Sequence, residues 1–441
     1  MTPFEIAALS VFGMLVLLLA GVYVGVVLTV VSYIGVWIIK GDPTVASNLL
    51  LLAVADSISS YVFGVIPLFV LMGMFVSISD IGKDTYEVAN VIFRRLRGGL
   101  GVATVAANAL FAAITGVSIA SASVFTKISV PQMLRHGYQP RFAVGVVAGS
   151  SLLGMLIPPS LLLILFAVLT DQSVGDMFLA GVIPGILLSL MFCLGIVLAA
   201  YLIPNSVMRA DALATGIEQA DMSLGEALRK LSPILLLIGV VIGGIYGGVF
   251  TPTEAGAIGA FGAFLLTAAR RKLTWASLWQ VLVETGHVTA TICFLIIAAT
   301  MYSRMLGVAA VPGQLAQWVT GLDANFYVVL AIYLGIILML GCLIDAASIM
   351  LITVPLFLPL FMAFKVDLVW LGVLTTIAVE VGLLTPPFGV AVFVIKATLD
   401  DRRITIPDIF RGALPFAGIV MLTLLLIIIF PGIATGILGR F

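Results

Sequence analysis

Long apolar runs separated by short polar breaks fill almost the whole chain. A helix needs about 20 apolar residues to cross a bilayer, and the runs predict spans at 6–20, 22–39, 63–80, 142–170 and 177–203. A second set is predicted at 232–250, 256–269, 286–303, 367–398 and 412–436. Two further runs, 99–134 and 325–363, each divide into arms of about 16 residues, too short to span, and predict re-entrant hairpins. Residues 42–61 and 273–284 are short and amphipathic, as expected of arms lying along the membrane interface.

Composition agrees with this pattern: of 441 residues 62% are hydrophobic and 10% charged, with no formal net charge, so the chain reads as a polytopic membrane protein. Its 21 basic residues are scattered and give no footprint for nucleic acid. No G-x-x-x-x-G-K-[ST] run is present to hold a nucleotide, which excludes ATP hydrolysis. Cys193, Cys293 and Cys342 stand in apolar runs without metal-ligand spacing and read as packing residues. His136 reads as a solvated loop residue, and His287 is expected at a helix entry; neither predicts catalysis. The N-terminus lacks a basic leader and reads as a retained helix.

The prolines reveal an internal repeat. "GMLIPP" (154–159) and "GLLTPP" (382–387) share G-x-L-x-P-P at an offset of 228 residues, and Gly82 precedes Gly116 by the same 34 residues that separate Gly307 from Gly341. The chain therefore reads as two copies of a unit of roughly 200 residues: 1–203, a cytoplasmic linker at 204–231, and 232–441. Segment 83–98 carries four basic residues and its counterpart 308–323 none, which puts them on opposite sides of the membrane and makes the repeat inverted. Fifteen of the 21 Lys and Arg then fall in cytoplasmic loops, four fall outside, and both termini lie outside.

A Pro-Pro pair breaks a helix and leaves peptide groups unpaired. In a bilayer such breaks persist only where they line a polar cavity or bind something. Each break, within 142–170 and 367–398, ends one half-helix in carbonyls suited to a small cation. It starts another in N–H groups suited to an anion. Thr385 before Pro386 predicts an N-cap followed by a proline at the first helical position, whereas Ile157 holds the equivalent place and cannot cap. The hairpin tips supply hydroxyls in "TGVSIASAS" (115–123) and a carboxylate, Asp345, in "GCLIDAAS" (341–348). Asp345 is a candidate for cation or proton coupling, and the alternative is that it caps the next arm. Ser118 and Ser121 could equally be packing residues. Lys127 is expected to snorkel toward the cytoplasm. Thr251, Pro252 and Glu254 form a capping box that starts a helix.

With "GVFTPTEAGAIGA", "GLLTPPFGVAVFVIKA", "LIPPS", "HGYQPRFA" and "LRGGLG" in view, the chain closely resembles, over essentially its whole length, the large membrane subunit of tripartite ATP-independent periplasmic (TRAP) transporters. The resemblance implies a bacterial inner-membrane secondary transporter of the ion-transporter superfamily, working as an elevator and importing an organic acid with sodium. It implies no enzyme activity and two protein partners: a small four-helix membrane subunit and a periplasmic substrate-binding protein. Carried over, sodium would bind near Thr115, Gly116, Ser118 and Gly154, and near Gly341, Asp345, Ser348, Gly382 and Thr385. Substrate would meet Ser121, Pro158, Pro159, Ser160, Pro386 and Pro387. Where the family usually reads S-G-S-A-V-A-D, this chain reads Thr115-Gly-Val-Ser-Ile-Ala-Ser121, so the first tip lacks an acid; Tyr23 stands where a proline is common. The same physics also fits a carboxylate symporter or antiporter that needs no binding protein.

Overall fold

The computed structural model describes residues 2–208, 222–314, 317, 325–387, 389–399, 401 and 403–439. Most of the expected linker (209–221), much of 308–323, and Arg209, Phe388, Arg402 and Arg440 lie outside the described residues. Among the described residues the structure is all-helical, and six helices are long and apolar enough to cross a membrane. The stretch Pro140–Thr170 is the most deeply buried of these (78%) and Leu224–Tyr246 the least (17%). An apolar helix with so little cover from its own chain needs apolar surroundings such as a bilayer or a membrane partner, which makes this a multi-pass membrane protein with the first broken helix as its most buried span.

The order of elements recurs along the chain. Both expected hairpins form: Gly99–Thr115 turns into Ser118–Arg135, and Phe326–Gly341 into Ala346–Ala363. Both Pro-Pro helices are broken, the first between Leu153–Leu156 and Leu161–Thr170 and the second between Leu368–Leu384 and Val390–Thr398. The halves interlock. A Cβ on Gly145 would lie 2.1 Å from the carbonyl oxygen of Gly412, and one on Gly412 2.0 Å from that of Arg141. Only glycine lets these backbones touch.

Four expectations about local structure need correction. Residues 273–284 are not a separate arm, because Trp275–Val308 is one helix of 34 residues. The first copy breaks at Ser60 and a 3-10 turn, Tyr61–Gly64, before Val65–Ile78. The second copy has only Gly286 near that point, and a single glycine does not stop a helix. His287 is therefore mid-helix and not at an entry. Segment 83–98 is not a simple loop: Ile81–Phe93 is a helix set at 64° to Val65–Ile78. It buries Ile81, Thr85, Tyr86, Val88 and Ala89 on one face and leaves charges on the other. Finally, Leu224–Tyr246 starts well before residue 232, with Ser223 as its N-cap.

Ion pairs join the halves on that charged face. Lys230 Nζ lies 2.8 Å from Glu87, Lys272 Nζ 2.5 Å from Asp80, and Arg270 pairs with Asp84. Elsewhere Arg304 holds the first arm, Pro43–Ser59, by donating to the Leu49 carbonyl at 3.0 Å and pairing with Asp56. These pairs are partly exposed, so each contributes little to global stability. Arg304→Ala is expected to speed amide exchange along 43–59, measured by hydrogen-exchange mass spectrometry, while changing global stability by less than about 1 kcal/mol.

Candidate functional site

At the first tip the chain must reverse within two residues. Gly116 does so at φ +65, where L side chains are disfavoured, and its N–H donates to Ala112 O at 3.2 Å. Val117 is extended, and Ser118 begins the second arm with no side chain capping its N–H groups. The broken helix closes around this turn. A Cβ on Gly116 would stand 2.4 Å from the Pro159 carbonyl oxygen, one on Gly154 would stand 3.0 Å from the Val117 carbonyl, and Leu161 N donates to Gly116 O at 3.2 Å. Thr115, Gly116, Ser118 and Gly154 are thus brought together as expected. Ser160 bridges the break: its hydroxyl donates to Met155 O in one half and accepts from Leu163 N, at 3.3 Å, in the other.

The second tip uses the same contact with different residues. Gly341 and Gly382 meet backbone to backbone, a Cβ on either lying 2.5 Å from the other's Cα. Asp345 caps Ala346–Ala363, accepting from Ser348 N at 3.1 Å and from the Ser348 hydroxyl. Capping and lining the cavity are both true of Asp345. Thr385 is not the N-cap expected of it. Its N–H and hydroxyl both turn back to Gly382 O, at 3.0 and 2.8 Å, so it ends the preceding helix. The reason is local: Pro386 itself precedes a proline and is kept out of the α region, so the next helix waits until Val390. Thr385 also meets Cys342 Sγ at 3.0 Å, which gives that cysteine a place at the tip as well as in packing.

Between the tips lies a cavity of about 400 Å³. The first residues of four helices line it: Val117 to Ala120, Leu161 and Leu162, Asp345 to Ala347, and Val390 and Ala391. Two of those N-termini, at Ser118 and Val390, carry no side-chain cap. The opposite wall comes from Val65–Ile78 and from His287, Val288, Thr291, Ile292 and Leu295 on the long helix. Among the described residues, Asp345 is the only Asp, Glu, Lys or Arg on the lining. Ser121, Pro158, Pro159, Ser160, Pro386 and Pro387 lie outside that lining. His287 was missed by reading the sequence for catalysis. The usable signal was its place in a helical stripe with Val288, Thr291, Ile292 and Leu295.

Other singled-out residues have local jobs. Thr251 and Glu254 make the expected capping box. His136 ends the Ser118–Arg135 helix, with Nδ1 2.8 Å from Gln132 O, and Lys127 is exposed.

Residues 11–433 match the family described as the tripartite ATP-independent periplasmic transporter, DctM component. The chain belongs to this family. Its members are transporter permeases and not enzymes, and they work with a small membrane subunit and a periplasmic binding protein. Among TRAP relatives, the chain is 33% identical over 375 residues to the C4-dicarboxylate large permease protein DctM of Pseudomonas aeruginosa, covering 85% of each chain. It is 30% identical over 424 residues to the sialic acid large permease protein SiaM of Vibrio cholerae, covering 96% of each. The crystal structure of the YdaH transporter from Alcanivorax borkumensis superposes with a TM-score of 0.60 at 13% identity, over 88% of this chain and 89% of that one, a likeness of fold alone.

Proposed function

We propose that this TRAP permease imports an organic acid across the bacterial inner membrane, driven by sodium and supplied by a periplasmic binding protein. The observation that carries the reading is the meeting of four helix N-termini around one cavity whose lining, among the described residues, holds no Lys or Arg. Helix N-termini attract anions through their free N–H groups and the macrodipole, so a carboxylate can be held there without a basic side chain. The carbonyls left by the broken helices, with Asp345 and the tip hydroxyls, offer oxygen ligands for sodium. Neutralising both charges together lets the hairpins and broken helices move as one body against the wall that carries His287. The inverted repeat, the external termini and the elevator motion belong to this proposal; they rest on the distribution of basic residues and on the interlocked tips. Relatives that carry a C4-dicarboxylate and sialic acid support a carboxylate as cargo.

The test is uptake in proteoliposomes containing the chain and its small subunit. The probe would be a labelled acid first identified by thermal-shift screening of the cognate binding protein against dicarboxylates, sugar acids and sulfonates. Uptake is expected only with an inward sodium gradient and the binding protein present. Equal uptake with sodium replaced by choline would overturn the coupling.

A further inference from the structure

The helix Leu368–Leu384 carries one carboxylate that the tips do not use. Glu380 is 2% exposed, and neither of its oxygens has a hydrogen-bond partner among the described residues. One turn earlier Thr376, 0% exposed, also has an unpartnered hydroxyl. Thr285 shares this state, whereas other buried threonines such as Thr104, Thr126, Thr353 and Thr375 turn back to the carbonyl four residues earlier. Residues four apart share a helix face, so the two orphan groups are neighbours.

Their face is not the one that meets the tip. Trp370 Nε1 on this helix donates to Ile427 O, and a Cβ on Gly372 would meet Met177 and Phe166. At 3.6 residues per turn Glu380 sits roughly 80° from each of those directions and about 160° from Gly382. The carboxylate therefore points into the packed interior between them, and residue 152, its counterpart in the first copy, is a leucine.

We propose that Glu380 and Thr376 hold a sodium ion inside the second broken helix, separate from the two tip sites. An ionised carboxylate buried without a partner is strongly disfavoured. A proton would remove its charge and could be shared with the Thr376 hydroxyl, yet it leaves the carboxyl's other oxygen without a donor. A monovalent cation satisfies all three oxygens at once, with no demand on hydrogen-bond direction. This adds an ion to the sodium coupling proposed above but stands on different residues, so the two readings fail separately.

The experiment is thermal unfolding of the full chain in detergent at fixed pH and ionic strength, with sodium chloride replacing choline chloride. A ligand that binds only the folded state raises the midpoint. For wild type a rise is expected. Glu380→Gln is expected to be more stable than wild type in choline and to lose at least half of the sodium-induced rise, with Asp345→Asn removing the remainder. Thr376→Val should need about tenfold more sodium for half its rise, and it decides the matter should Glu380→Gln not fold. Overturning results are no rise in wild type, a full rise in Glu380→Gln, or an unchanged sodium dependence in Thr376→Val. If Glu380→Gln kept the sodium rise but lost a pH dependence of the midpoint, the occupant would be a proton and the proposal would fall. Loss of the rise in Glu380→Gln but not in Asp345→Asn would sink the tip reading and leave this one standing.

Discussion

Asp345→Asn is expected to abolish sodium-dependent uptake and leave the fold intact. Asparagine is as good an N-cap as aspartate, so the contact with Ser348 N at 3.1 Å, and with it the start of Ala346–Ala363, should survive. What disappears is the one Asp, Glu, Lys or Arg charge on the cavity lining among the described residues. An interaction with an ionised group is worth up to about 3 kcal/mol, and that converts to a loss of roughly 100-fold in sodium affinity. Asp345→Ala removes the cap as well and should cost a further ~1 kcal/mol of stability. The pair of variants separates the two jobs of this residue. Sodium-stimulated uptake and thermal unfolding of both proteins would measure them. If Asp345→Asn took up substrate with wild-type sodium dependence, the carboxylate would be a cap and nothing more.

Much of this architecture is legible in the sequence because the bilayer constrains it so strongly. Arms too short to span, and prolines paired at matched positions, leave few alternatives once every backbone group must find a partner. Hence both hairpins and both breaks form where the repeat predicts them. The parts that could not be read depend on local competition or on tertiary position. Whether the arm at 273–284 continues into the next helix turns on what one glycine, Gly286, does. Thr385 looks like a cap by its spacing to Pro386 alone, and only the second proline's effect on the first redirects it. Ile81–Phe93 hid behind charges, since Lys83, Asp84 and Glu87 within it and three arginines just after it make a helix buried on one face read as a polar loop. Glu380 was visible as a carboxylate in an apolar run, but nothing along the chain tells which way it points.

The two tips should fail in different degrees when their glycines gain a methyl group. In Gly116→Ala two costs combine. The residue sits at φ +65, which an L side chain occupies at a cost of roughly 1–2 kcal/mol, and its Cβ would stand 2.4 Å from Pro159 O. Gly341→Ala carries only the second kind of cost, its Cβ standing 2.5 Å from Gly382 Cα. Overpacking of this kind costs about 1–3 kcal/mol, so Gly116→Ala is expected to lower stability by roughly 2–5 kcal/mol and Gly341→Ala by about 1–3. Gly239→Ala is the control: its Cβ meets nothing within 4 Å, and alanine inside the helix should be neutral or stabilising by up to about 1 kcal/mol. Unfolding in detergent gives the three values. Uptake then says what the contacts are for: because each tip is seated on its broken helix by close backbone contact, either variant should lose transport while the opposite tip stays intact. A Gly341→Ala protein that folds and transports at the wild-type rate would mean that hairpin and broken helix need not close on each other, and that the cation is held somewhere other than between them.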